Sequence, residues 1–157
     1  MGAPTVTTAI EQPASAQQVA ELVRERMFAG DRASRAFGMQ VTHMAPGTAT
    51  LTMCVRADML NGFAICHGGL ITTLADSAFA FACNARNEFS VAAGLAIDFL
   101  APAREDDVLT AVAVEVSQSG RSGLYDVSVT NQRGERVALM RGRSHRVKGR
   151  PSVPAAG

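Results

Sequence analysis

His67-Gly68-Gly69-Leu70-Ile71-Thr72-Thr73-Leu74-Ala75-Asp76-Ser77-Ala78-Phe79-Ala80-Phe81-Ala82-Cys83-Asn84-Ala85 is the stretch that decides the fold. Leu, Ala and Phe dominate it and no proline interrupts it, so it reads as a helix from Gly68 to Ala85. Apolar side chains fall on every face of that helix. It cannot lie half in water and must be wrapped, most simply by a sheet. Asp76 is the only charged residue in the span. Burying an unpaired carboxylate costs roughly several kcal/mol, or else its pKa rises. Such a residue is either a site of chemistry or a structural carboxylate that pairs elsewhere, because both uses perturb its titration.

Working outward, the flanks supply the sheet. On the N-terminal side, Met1 to Pro13 is a loose tail of Thr, Ala and Pro, and the tail as a whole spans residues 1–14. Ser15 or Ala16 opens an amphipathic helix with Val19, Leu22, Val23 and Met27 on one stripe. Gly30-Asp31 ends it, and Asp31 can cap a short turn over 32–37. Gly38–Val41 begins a strand and Thr48–Arg56 forms a second. Pro46-Gly47 turns between them, so the pair reads as a hairpin. Asp58–Cys66 is a loop carrying Asn61-Gly62.

On the C-terminal side everything is strand. Ser90–Leu100 is one run, stopped by Ala101-Pro102. Val108, Thr110, Val112, Val114 and Val116 alternate against Leu109, Ala111, Ala113 and Glu115. Residues 118–123 turn, and Tyr125, Val127 and Val129 mark the next strand. Residues 131–134 turn again. Arg136–Val147 is the last strand, with Arg141, Arg143 and His145 on one face. Residues 149–157 read as a flexible polar tail. The order implies a single α+β domain over 15–148, an antiparallel sheet around one long central helix. Such a sheet keeps two open edges, which invite pairing with a second copy.

Composition bounds the class. The chain has 157 residues, 47% apolar, with a formal net charge of +1. That suits one globular core and offers no electrostatic footprint for nucleic acid or an acidic membrane. No run approaches the roughly 20 apolar residues that span a bilayer, and no basic-plus-apolar leader opens the chain. The expected compartment is the cytoplasm. Cys54, Cys66 and Cys83, odd in number and without a CxxC, fit packed free thiols in a reducing environment.

Several strings together carry a family resemblance. They are Leu60-Asn61-Gly62, Cys66-His67-Gly68-Gly69, Leu74-Ala75-Asp76-Ser77-Ala78-Phe79-Ala80, Ile97-Asp98-Phe99-Leu100-Ala101-Pro102 and Arg141-Gly142-Arg143-Ser144-His145. Over about residues 35–148 the chain resembles the hotdog fold, and within it the PaaI-type acyl-CoA thioesterases of phenylacetate catabolism. Ser77 stands where that family often has Thr, and both keep a hydroxyl. The resemblance implies hydrolysis of an aryl- or hydroxyaryl-acetyl-CoA to a free acid and coenzyme A. It implies no metal and no cofactor beyond the coenzyme A of the substrate, and it implies a dimer of dimers.

The residues make chemical sense of that expectation. Thioester hydrolysis needs a base or nucleophile and a donor for the developing oxyanion. Gly68 opens the helix, so its N–H lacks a helical partner, lies at the positive end of the dipole and tolerates close approach. Asp76 is eight residues on, about 12 Å along the same helix. One carbonyl cannot reach both in one chain, so Gly68 of one chain would face Asp76 of a partner and a homodimer becomes a condition of activity. Asp76 acts as general base on water, or as nucleophile through a mixed anhydride.

Asn61 offers an amide donor to the thioester or positions the water. His67 either orders Asn61 and the loop or takes part in catalysis. Ser77 can hydrogen-bond the water or the carboxylate. Leu60, Phe63 and Phe79 are candidates for the acyl pocket. Arg121-Ser122 is the candidate contact for the nucleotide end of coenzyme A, and the resemblance implies the same turn. Arg104, Arg143 and Arg146 stand in reserve. Two other classes stay open at this level: a hotdog enoyl-CoA hydratase or dehydratase built on a His–acid pair, and a non-catalytic acyl-CoA-binding module.

Overall fold

The computed structural model describes residues 14–154. The expected N-terminal tail lies outside them except for Ala14. Along the chain run α1 (Ala16–Gly30), α2 (Arg32–Ala36), β1 (Gln40–Ala45), β2 (Thr48–Cys54), a 3₁₀ turn (Ala57–Met59), α3 (Gly68–Asn84), β3 (Ser90–Phe99), β4 (Val108–Ser119), β5 (Ser122–Thr130) and β6 (Arg136–Arg146). The strands form one antiparallel sheet in the order β1-β2-β4-β5-β6-β3. Helix α3 touches all six of them. This is the α+β layout expected from the element order.

Both minor helices begin on side-chain caps. Ser15 Oγ accepts from Gln18 N–H while Gln18 Oε1 accepts from Ser15 N–H, a reciprocal pair that satisfies two orphan donors of α1. Asp31 caps α2 by accepting from Ser34 N–H. Helix α1 lays Ala20 and Val23 against the core and hydrogen-bonds β1 through Gln17 Nε2 to Met44 O.

The alternation in β4 resolves with the Leu109, Ala111 and Ala113 set facing inward. Leu109, Ala111 and Ala113 are fully buried against α3, while Val114 and Val116 are 48% and 51% exposed on the outer face. Alanines at the contact let the helix come close to the sheet, which beta-branched residues there would prevent.

Four expectations need correction. Helix α3 is not wrapped all round: Gly69 is exposed and Thr72, Thr73, Asp76, Ser77 and Ala80 are half-buried, so one long face stays open in the single chain. The turn at 118–123 shrinks to Gly120-Arg121, because Gly120 at φ +56° supports a two-residue connection. Cys54 is exposed, whereas Cys66 and Cys83 are buried free thiols.

Residues 149–154 do not hang free. Arg150 O accepts from Phe89 N–H, the Arg150 guanidinium sits 3.9 Å from the Phe89 ring centroid, and Val153 is 5% exposed. Backbone bonds and one buried valine anchor a segment whose composition reads as tail.

The open edge at β3 is long and apolar. Val91, Leu95 and Phe99 are 42%, 42% and 51% exposed. Among the described residues no helix is long and apolar enough to cross a membrane.

Candidate active site

The N-terminus of α3 is built so that one backbone donor stays available. His67 is the N-cap, and its Nδ1 accepts from Gly69 N–H at 3.0 Å. Leu70 and Ile71 N–H donate to His67 O. No described residue accepts from Gly68 N–H. Because Nδ1 is an acceptor, the neutral ring carries its proton on Nε2. The Phe99 ring lies directly over Gly68: a Cβ there would stand 3.0 Å from its Cζ.

Asn61 sits across from that donor. Its Oδ1 accepts from Phe63 N–H at 2.9 Å and Ile65 N–H at 3.4 Å, which ties the oxygen into its own loop. The Nδ2 donates to no described residue. Asn61 and Gly68 line one cavity of about 520 Å³ together with Ile71, Phe99, Leu100 and Pro102.

Asp76 borders a different cavity, of about 320 Å³, with Met27, Phe79, Cys83, Val91 and Ala92. Its carboxylate is half-buried, and burial pushes its pKa above the ordinary carboxylate value. No described residue donates to it or pairs with it. Two cavities on one helix, one with a free backbone donor and the other with an unpaired carboxylate, invite comparison with known proteins.

The profile of the Thioesterase superfamily matches residues 63–138. The chain is 45% identical over 123 residues to the acyl-coenzyme A thioesterase PaaI of Escherichia coli K12, covering 78% of this chain and 88% of that one. The structure of the E. coli PaaI protein from the phenylacetic acid degradation operon superposes with a TM-score of 0.85 at 42% identity, covering 87% of this chain and 99% of that one.

The chain belongs to the thioesterase superfamily. It is an acyl-CoA thioesterase of PaaI type with the hotdog fold, and the reaction is hydrolysis of an acyl-CoA thioester. A thioesterase from Streptococcus pneumoniae TIGR4, whose structure holds coenzyme A, superposes with a TM-score of 0.68 at 27% identity, covering 71% of this chain and 90% of that one.

The other candidate residues of this PaaI-type thioesterase divide. Phe79 lines the Asp76 cavity, buried to 1% exposure, with its ring centroid 5.4 Å from that of Tyr125. Phe63 is 86% exposed and touches neither cavity, because the tight Asn61 loop turns it outward. Leu60 packs against the core and pairs with Cys66.

Ser77 does not face Asp76's cavity. Its hydroxyl is 3.1 Å from Ser34 Oγ, and Ser34 Oγ already donates to Asp31 Oδ2, so Ser77 is the donor of that pair. His67 makes no bond to Asn61.

The arginines divide too. Ser122 lines a groove of about 300 Å³ with Arg143 and His145 on the strand ends, beside the turn that holds Arg121. The side chains of Arg121, Arg104 and Arg143 pair with no described residue. Arg146, by contrast, pairs with Glu88 at 2.5 Å and donates to Gly120 O.

Sequence reading assigned no site role to Phe99, Leu100 or Ile71 in the Gly68 cavity, nor to Met27 or Ser152 beside Asp76. The Ile97–Pro102 string carried the signal for Phe99 and Leu100. Nothing local marks Met27 or Ser152, which reach the cavity from the two ends of the chain. Among the described residues no cluster of three or more His, Cys, Asp or Glu side chains could hold a metal ion.

Proposed function

We propose that the enzyme hydrolyses phenylacetyl-CoA or hydroxyphenylacetyl-CoA in the cytoplasm, at sites formed between two copies of the chain. One observation carries the two-chain reading. Strand β3 borders both cavities: Val91 and Ala92 at its start line the Asp76 cavity, and Phe99 at its end lines the Gly68 cavity. Antiparallel pairing of two β3 edges about a two-fold near Leu95 sets the start of one strand beside the end of the other. That brings the Gly68 cavity of one chain next to the Asp76 cavity of its partner. It also covers Val91, Leu95 and Phe99, a long apolar edge that is costly to leave exposed.

In this arrangement Gly68 N–H, with Asn61 Nδ2 beside it, donates to the thioester carbonyl oxygen. The Asp76 carboxylate of the partner subunit takes a proton from water as the water oxygen attacks, or attacks the carbonyl carbon itself. On the first route the C–S bond breaks as the tetrahedral intermediate collapses to the free acid, and the coenzyme A thiolate takes up the proton held by Asp76. On the second the thiolate leaves a mixed anhydride on Asp76, which water then hydrolyses to release the acid and regenerate the carboxylate, the water's proton balancing the thiolate. His67 acts as a positioning residue: by occupying Gly69 N–H it leaves Gly68 N–H as the free donor.

The acyl group enters beside Phe79, and the nucleotide end lies near Arg121, Ser122 and Arg143. A second dimer packs on the outer sheet face, where Val114, Val116 and Leu139 are exposed. The hydratase reading needs a His–acid pair. The His67 Nδ1 is held by Gly69 N–H, and no described carboxylate pairs with the ring.

Thiol release from phenylacetyl-CoA, compared between wild type and Asp76→Asn, tests the reading. The expected result is turnover in the wild type and a loss of about 10²-fold or more in the variant, the usual contribution of a general base. Equal turnover in both would remove Asp76 from the mechanism.

A further inference from the structure

Helix α3 lines the cavity beside Asp76 as far as Asn84, eight residues or about 12 Å further along the helix. Beside Asn84 the lining includes a residue of a segment distant in sequence. Ser152 Oγ donates to Asn84 Oδ1 at 2.6 Å, and Val153 N–H donates to Asn87 Oδ1 at 2.9 Å. Pro154 O accepts from Arg26 of α1. Arg150 is tied to Phe89 by a backbone bond and by stacking. Four of the five residues 150–154 are thus pinned, between α1 and the start of β3.

Asn84 itself is saturated. Its Nδ2 donates to Ala80 O and Ser90 O, and its Oδ1 accepts from Ser90 N–H and Ser152 Oγ. An amide with all four bonds made has no reason to swing aside for a ligand. Ser152 is therefore held in place as part of the cavity lining, together with Met27 and Phe89.

We infer that residues 150–154 are the end wall of the acyl cavity and set the greatest length of acyl group the enzyme accepts, with Ser152 as the specificity-determining side chain. This rests on the reading that the acyl group lies beside Asp76. The ligand class is accordingly short and compact acyl-CoA, aryl-acetyl groups included, with long straight chains excluded by the wall.

The test is the chain-length profile of kcat/KM over hexanoyl-, decanoyl- and palmitoyl-CoA, each measured for wild type, Ser152→Phe and a chain ended after Lys148. The readout is the decanoyl-to-hexanoyl ratio within each protein, which a partial loss of folded enzyme does not move. The shortened chain is expected to raise that ratio by at least about tenfold and Ser152→Phe to lower it, since single methylenes in a closed pocket already discriminate by about 10- to 200-fold.

Ratios equal to wild type in both variants, with turnover that still depends on Asp76, would overturn the end wall while leaving the proposed reaction intact. Turnover independent of Asp76 would instead strike at the reading beneath it. If the shortened chain does not fold, Ser152→Phe decides alone.

Discussion

Asp76 pays for its position in the currency of protons. Burial raises its pKa and no donor offsets that, so the folded chain holds this proton more tightly than the unfolded chain does. On the proposed mechanism activity needs the ionised form. The acid limb of kcat/KM should therefore lie above the ordinary aspartate value of about 3.9, with activity full above the raised pKa and lost as pH falls through it. The stability effect has the opposite sign. Between the ordinary and the raised pKa the folded state binds more protons, so stability falls as pH rises through that window. Asp76→Asn should raise the melting temperature at neutral pH, and the gain should shrink as the pH approaches about 3.9. Scanning calorimetry of both proteins across that range checks it. At this scale the sequence was partly legible. An isolated carboxylate in an apolar helix identifies itself by its cost. His67 does not identify itself as a cap, because Ser, Thr, Asp and Asn are the usual cap residues. Ser77 is claimed by Ser34, a residue 43 positions away that no local pattern could connect to it.

Among the elements, α3 and β3 are joined by one buried amide. Asn84 at the end of the helix satisfies both backbone groups of Ser90, the first residue of the strand. Asn84→Ala leaves those groups buried without partners and frees Ser152 as well. The expected cost is about 2–4 kcal/mol, read as a lower urea midpoint with an unchanged slope. The elements themselves were well marked. Prolines and glycines punctuate the hairpins, and a two-residue alternation marks β4 and β5. What alternation lacks is direction. It separates Val114 from Ala113 without saying which faces the helix, since that depends on how close α3 comes. The C-terminal segment was misread for a related reason. Its anchors are mostly backbone groups and a charged stem, and composition does not register them.

For the whole molecule, spacing along one helix already separates the two halves of the proposed site, because about 12 Å is a property of the helix itself. The surface that would reunite them in the proposed dimer was legible only as an unspecified sheet edge. The structure places the exposed apolar edge at β3. A site shared between chains has a distinctive genetic signature. Asp76→Asn and Gly68→Ala are each expected to be impaired alone, the second because its Cβ meets the Phe99 ring at 3.0 Å. In a mixed dimer of the two, one site receives both defects and the other receives neither. Co-expressed and purified through two tags, that dimer should recover close to half of the wild-type rate per dimer. Recovery of nothing would place both residues in a single-chain site.

Cys54 adds a practical consequence. It is the one cysteine at the surface of the chain, while Cys66 and Cys83 are buried, the latter with its thiol pushed up to about 12. A thiol-directed probe therefore marks each copy once, at the end of β2. In a two-fold pair such probes define a single separation, whereas four copies in dihedral symmetry define three. The chain thus carries its own molecular ruler, and the number of spacings it returns counts the copies in the assembly.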